Sequence, residues 1–109
     1  MGVLSVLLFG KNPKQKADVS ALVKNGALVI DARTQGEFDS GHLQDAVNIP
    51  HNNIDRQIGQ YAKTKEQPIV VYCHSGARSA HACKVLTRMG YSQVSNGGSL
   101  RHMRKALEK

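Results

Sequence analysis

The sequence predicts a small α/β domain whose central sheet is mostly parallel. Two observations point there: short apolar runs alternate with segments of helical periodicity, and Gly, Pro or Asn punctuates the changes. A third concerns "ALVID", 27–31, and "IVVY", 69–72, which are apolar at consecutive positions rather than at every second one. That is the pattern of strands covered on both faces.

The elements follow in order. Asp18 is placed to cap a helix whose Val19, Leu22 and Val23 recur at helical spacing, and Asn25-Gly26 stops it. The strand 27–31 comes next. Thr34 and Glu37 stand three apart, the spacing of a capping box, and Gly41 closes that short turn of helix. "AVNIP" is a short strand ended by Pro50. Ile54, Ile58, Tyr61 and Ala62 predict one face of an amphipathic helix. After the strand 69–72, a helix from about 77 to 89 turns Ala82, Val85, Leu86 and Met89 inward, and Gly90 stops it. A last strand near Val94 runs through Gly97-Gly98 to a helix capped by Ser99, with Leu100, Met103 and Leu107 inward.

At 109 residues the chain is long enough for one core and too short for two. The expected layout is an N-terminal strand or arm with a polar connection over 1–16, followed by the α/β domain over 17–109. The apolar run 3–9 is too short to span a bilayer, and it lacks the basic flank and cleavage site of a signal peptide. Val6 also breaks the myristoylation pattern. The expected location is therefore the cytoplasm, without membrane contact. Only two cysteines, Cys73 and Cys83, are present, so reduced thiols are expected rather than a disulfide scaffold. The net charge of +7 favours anionic partners without choosing among them.

The chemistry concentrates in "CHSGARSA", 73–80. Cys73 ends a core strand, and ligands of parallel sheets bind at the carboxyl ends of strands. A strand that turns within a few residues into a helix aims successive backbone N–H groups into the turn, and the helix N-terminus adds its positive end. A thiol in that cradle ionises more readily, and the thiolate is the nucleophile. Gly76 permits a left-handed backbone. Arg78 offers a planar cationic fork over the cradle, and His74 and Ser79 add donors. The reading requires an exposed Cys73 sulfur, held as an anion by main-chain dipoles. A cysteine at a strand end can equally be a small buried apolar residue.

"CHSGARSA" resembles the active-site loop of the rhodanese sulfurtransferase family. "LVIDARTQGEFDSGHLQDAVNIP", 28–50, is similar to that family's other signature, and "MGYSQVSNGGSL", 89–100, to its ending. Together these cover about residues 17–102. The resemblance implies a rhodanese-like α/β fold with helices flanking the sheet, and catalysis by Cys73. The loop residues His74, Ser75, Gly76, Ala77, Arg78 and Ser79 are expected to bind substrate. Four residues separate Cys73 from Arg78. That matches sulfur-transferring rhodaneses, whereas the related phosphatases and arsenate reductases have a loop one residue longer. The implied reaction moves a sulfane sulfur from thiosulfate, or a similar small anionic donor, through a Cys73 persulfide. The acceptor is cyanide or a thiol, including a thiol on a protein. A phosphatase or arsenate reductase, and a non-catalytic sulfur carrier or interaction module, are the alternatives. This sequence lacks the Trp that many family members carry after the Gly-Gly pair, and Asn96 stands where an apolar residue is common.

Other polar residues are assigned structural roles. Cys83 is expected to be a packed helix residue. Asp31 and Arg33 are expected to form an ion pair with each other or with Glu37, His42 to tie the chain through its ring, and His51 and His81 to lie at the surface. The His and Cys spacing fits no zinc site, so neither metal nor cofactor is expected. "RHMRK", 101–105, is basic but has no aromatic residue interleaved for base stacking, so no nucleic acid is expected. A monomer is expected.

Overall fold

The structure is a computed structural model that describes residues 18–108. The expected arm over 1–16 lies outside those residues.

A four-stranded, wholly parallel sheet of order β2-β1-β3-β4 forms the centre. Its strands are β1 (Leu28–Asp31), β2 (Val47–Asn48), β3 (Ile69–Cys73) and β4 (Val94–Ser99). The helices are α1 (Val19–Lys24), α2 (Gln35–Asp39), α3 (Ile54–Gln57), α4 (Ala77–Arg88) and α5 (Leu100–Leu107). Asp18, Thr34 and Ser99 cap α1, α2 and α5, each accepting a backbone N–H three residues on; the capping box of Thr34 and Glu37 is complete. Each cap satisfies a donor that the helix itself leaves open.

β3 is buried at all five positions, which explains its unbroken apolar sequence. Its side chains alternate between two cores, as the twofold pleat requires. Ile69, Val71 and Cys73 join Ile30, Ile49, Ile54, Ile58, Ala82 and Leu86 on the face covered by α3 and α4. Val70 and Tyr72 join Val19, Val29, Leu43 and Met103 on the face covered by α1 and α5. The alternation puts Cys73 on the same side of the sheet as α4.

One expected helix is shorter than its pattern. Three short pieces cover 51–60: a 3-10 turn at His51–Asn53, then α3, then a 3-10 turn at Ile58–Gln60. Ile54, Ile58 and Ala62 are buried, but Tyr61 is 38% exposed. Tyr61 lies past the last turn, at φ −117°, where the chain bends to bury Ala62 instead.

β4 carries a bulge. Val71 pairs with Asn96 and Tyr72 with Gly98, so Gly97 is the extra residue. A Cβ on Gly97 would stand 2.5 Å from Met103 Sδ and 3.0 Å from Val70 Cγ1. Only glycine lets β4 and α5 approach this closely.

The motif in 28–50 folds into a buried brace. Arg33 grips Asp31 through Nε and Nη2 at 2.7–3.1 Å, and Nη2 also donates to the Gly41 carbonyl at 2.7 Å. Tyr72 donates its hydroxyl proton to Asp31 Oδ2 (2.7 Å) and accepts from Leu43 N–H (3.1 Å). Asn48 Nδ2 donates to the carbonyls of Asp31 and Arg33. The ion pair is the one expected, formed between Asp31 and Arg33.

Candidate active site

Cys73 is the last residue of β3, and α4 begins four residues later at Ala77. The turn between them depends on Gly76, the residue preceding α4, which has φ 97°. A side chain there would be strained, and glycine adopts this conformation freely. With Gly76 so placed, its N–H donates to Cys73 Sγ at 3.0 Å. Ser79 N–H, in the first turn of α4, points to the same sulfur at 3.4 Å, and Ser79 Oγ stands 3.4 Å from it.

These donors act on the thiol. Burial of Cys73 pushes its pKa up, but the Ser79 hydroxyl and the amides of Ser79, Gly76 and Ser75 together outweigh burial. The net result is a thiol more acidic than a free cysteine. Main-chain dipoles stabilise the anion here, as the strand-turn-helix arrangement predicts.

Two expectations about the loop need correction. Cys73 is not exposed: it has 0% accessible surface, because one side packs into the core with Ala82 and Leu86 and the loop closes the other. Its neighbouring amides nevertheless aim at the sulfur. Nor does Arg78 extend its fork over the sulfur. Nη1 and Nη2 bind Glu37 Oε1 and Oε2 at 2.7 and 3.0 Å. The pairing, together with Thr34, pulls the Glu37 carboxyl down to about 2. Glu37 therefore serves two ends at once, closing the α2 cap and tethering the loop through Arg78.

The remaining loop residues divide by position. His74, Ser75 and Ala77 are exposed at the mouth, Gly76 is half-buried and Ser79 is fully buried. Asn96, on β4, takes part although its chemistry was not foreseen. Ser79 Oγ donates to Asn96 Oδ1 at 2.7 Å, Asn96 Nδ2 donates to the Gly76 carbonyl at 3.2 Å, and Gly98 N–H donates to Asn96 Oδ1 at 2.9 Å. Asn96 thus buttresses the loop from the neighbouring strand. Its only signal in the sequence is a polar residue beside the Gly-Gly pair.

Elsewhere the polar residues are placed much as expected. Cys83 packs half-buried against the α4 core, and burial and then the charge on Cys73 push its thiol up to about 12. His42 stacks on Phe38 at 3.6 Å and bonds the Phe38 carbonyl through Nδ1. His81 is exposed, whereas His51 is half-buried and meets His81 edge-on. Among the described residues no cluster of three or more His, Cys, Asp or Glu could hold a metal ion, and no helix is long and apolar enough to cross a membrane.

A strand-end cysteine cradled by the amides of the next helix, on a parallel sheet of this order, defines a class of α/β domain. The sequence matches the family described as the Rhodanese-like domain over residues 15–98, and the chain belongs to that family. The thiosulfate sulfurtransferase PspE of Escherichia coli K12 is 35% identical over 72 residues, covering 66% of this chain and 69% of PspE. A sulfurtransferase of Allochromatium vinosum is 37% identical over 82 residues, covering 73% of this chain and 75% of that protein. A tRNA uridine(34) hydroxylase of E. coli is 31% identical over 102 residues, but the match spans only 29% of the hydroxylase. Among solved structures, a rhodanese with anions from E. coli aligns with a TM-score of 0.68 at 32% identity, covering 71% of this chain and 91% of that one. A human single-domain sulfurtransferase, TSTD1, aligns with a TM-score of 0.71 at 23% identity, covering 86% and 96%, a likeness of fold.

Proposed function

We propose that this protein is a sulfurtransferase that carries a sulfane sulfur on Cys73, within a single domain over 17–109. The Cys73 thiolate attacks the outer sulfur of thiosulfate or a similar donor. A bond forms between Sγ and that sulfur, the donor's S–S bond breaks, and sulfite leaves with the electron pair. A thiophile then takes the outer sulfur from the persulfide and returns Cys73 as the thiolate. Both cysteines are free, as the cycle requires of Cys73, and a reducing, cytoplasmic setting is part of the proposal.

The observation that carries this reading is the convergence of Gly76 N–H, Ser79 N–H and Ser79 Oγ on Cys73 Sγ. The same donors can hold the anionic outer sulfur of a persulfide. Because Cys73 has no accessible surface, the mouth around His74 and Ser75 must move aside to admit the donor. In place of a fork over the sulfur, Arg78 holds the loop in register through Glu37.

Thiosulfate and cyanide, mixed with the protein, test the reading through the thiocyanate formed. Turnover that vanishes in Cys73→Ser, with a mass gain of one sulfur on thiosulfate-treated wild type, supports it. Aryl-phosphate hydrolysis without thiocyanate, or a persulfide that never turns over, would replace it with the phosphatase or the carrier.

A further inference from the structure

The mouth of the Cys73 loop opens into a cleft of about 850 Å³. His74 and Ser75 of the loop line it together with Arg33 and with Arg101, Arg104 and Lys105 of α5. Glu108 is the one carboxylate along it. Positions 101, 104, 105 and 108 fall at i, i+3, i+4 and i+7, so a single face of α5 presents all of them.

Folding accounts for only part of this basic face: Arg104 and Lys105 lie in the last turn of α5, where the helix dipole favours cations, but Arg101 does not. Arg101 sits in the first turn of α5, where the helix dipole disfavours a cation and where no acidic residue compensates. Like charges at i+3 and i+4 also repel. Arg101, Arg104 and Lys105 are exposed, and among the described residues none of them forms an ion pair or a side-chain hydrogen bond. Three cations against one carboxylate, Glu108, leave the cleft beside the nucleophile loop with a surplus of positive charge that suits an anionic occupant.

The dimensions say which kind. From Arg101 to Lys105 the helix rises about 6 Å, so the three cations line about one turn of α5 along the cleft. Charges spread along a chain match that spacing. The cleft lining includes no Phe, Tyr or Trp, and His74 is its one ring, so a run of bases would find no stacking platform there. The sulfur is also recessed, so an acceptor thiol must enter on a narrow, protruding segment.

We propose that this cleft docks an acidic peptide segment of a protein whose cysteine accepts the sulfur from Cys73. The inference rests on the sulfurtransferase reading and names its acceptor. Asp and Glu side chains of the segment lie along Arg101, Arg104 and Lys105, and its cysteine enters between His74 and Ser75. The acceptor thiolate attacks the outer persulfide sulfur; the new S–S bond forms as the bond to Cys73 Sγ breaks, and Cys73 leaves as thiolate. Charge and electrons balance without any added oxidant.

Two measurements separate this docking from the underlying chemistry. The first is fluorescence anisotropy of a labelled ten-residue peptide with four Asp/Glu residues flanking a serine. It reads the cleft whether or not sulfur moves. Binding should weaken at least tenfold in the triple variant Arg101→Gln, Arg104→Gln, Lys105→Gln, whose fold is checked by circular dichroism. It should weaken likewise when Asp and Glu become Asn and Gln, and at high salt. The second is the rate of persulfide transfer to the cysteine version of each peptide, with the acidic one expected to be faster by about tenfold or more at low ionic strength. Equal binding of acidic and neutral peptides, an acidic preference that survives the triple variant, or tighter binding of a single-stranded oligonucleotide would overturn the docking proposal. Acidic-peptide binding with no persulfide ever formed on Cys73 would instead overturn the sulfurtransferase reading.

Discussion

Asn96 Oδ1 stands 2.7 Å from Ser79 Oγ, while Cys73 Sγ stands 3.4 Å from the same oxygen. A hydroxyl has one proton to give, so sulfur, the Asn96 amide and the Gly76 carbonyl at 3.1 Å compete for it. The shorter contact favours Asn96 while Cys73 is a thiol, and on ionisation the hydroxyl can turn its proton to the thiolate. Asn96→Ala removes the nearest competitor, leaving the Gly76 carbonyl at 3.1 Å, and lets Ser79 turn to the thiolate more readily. The rate of Cys73 alkylation near pH 6 should then rise about threefold to tenfold, the worth of one hydrogen bond of roughly 1 kcal/mol. Ser79→Ala should slow it by a similar factor. A slower Asn96→Ala protein would show that Asn96 serves only to buttress the loop.

Glu37 links α2 to the loop, and its ionisation sets an acid limit. Its carboxyl is pulled from the usual 4.5 down to about 2, chiefly by Arg78 and then by the Thr34 amide. A group whose pKa is lower folded than unfolded contributes stability that is complete above the unfolded value. That contribution is lost as pH falls from about 4.5 through about 2. Side chains about one-third exposed keep it modest. In Glu37→Gln, urea midpoints measured from pH 6 down to pH 2 should fall less steeply than in wild type. Parallel curves would remove the pair from the acid response.

Gly97→Ala tests the bulge. The added methyl meets Met103 Sδ and the Val70 side chain well inside contact distance. Overpacking of this kind costs about 1–3 kcal/mol, or roughly 4–15 °C in Tm for a domain of this size. A thermal melt within 2 °C of wild type (about half the smallest expected shift) would mean that α5 simply moves away.

Tyr72→Phe tests the brace. The hydroxyl is the bonding partner of the Leu43 N–H and one donor to Asp31, all buried. Removing it leaves a buried amide unsatisfied, at about 1–3 kcal/mol. Denaturant unfolding should report that loss while thiosulfate turnover per folded molecule stays within twofold.

The strands, caps and nucleophile loop were legible because local rules specify them. Asp18, Thr34 and Ser99 cap because a hydroxyl or carboxylate three residues before a free N–H has few better partners. Residues 69–73 read as a strand because both faces are covered. What escaped were contacts that join distant segments. Nothing local pairs Glu37 with Arg78, 41 positions apart; the sequence offered Glu37 only the capping box and a place beside Asp31 and Arg33. Asn96 reaches Ser79 through the bulge at Gly97, a register shift that periodicity does not reveal. The depth of Cys73 escaped too, since a strand-end residue is sealed or open according to what the next helix covers.

That enclosure bears on how the thiol survives between encounters. A cysteine made acidic by surrounding amides would ordinarily be the first group lost to peroxide, because oxidation follows thiolate character and access together. Here the two are uncoupled, because the acidic thiol has no accessible surface; on the proposed cycle it meets oxidants only while the loop admits a substrate.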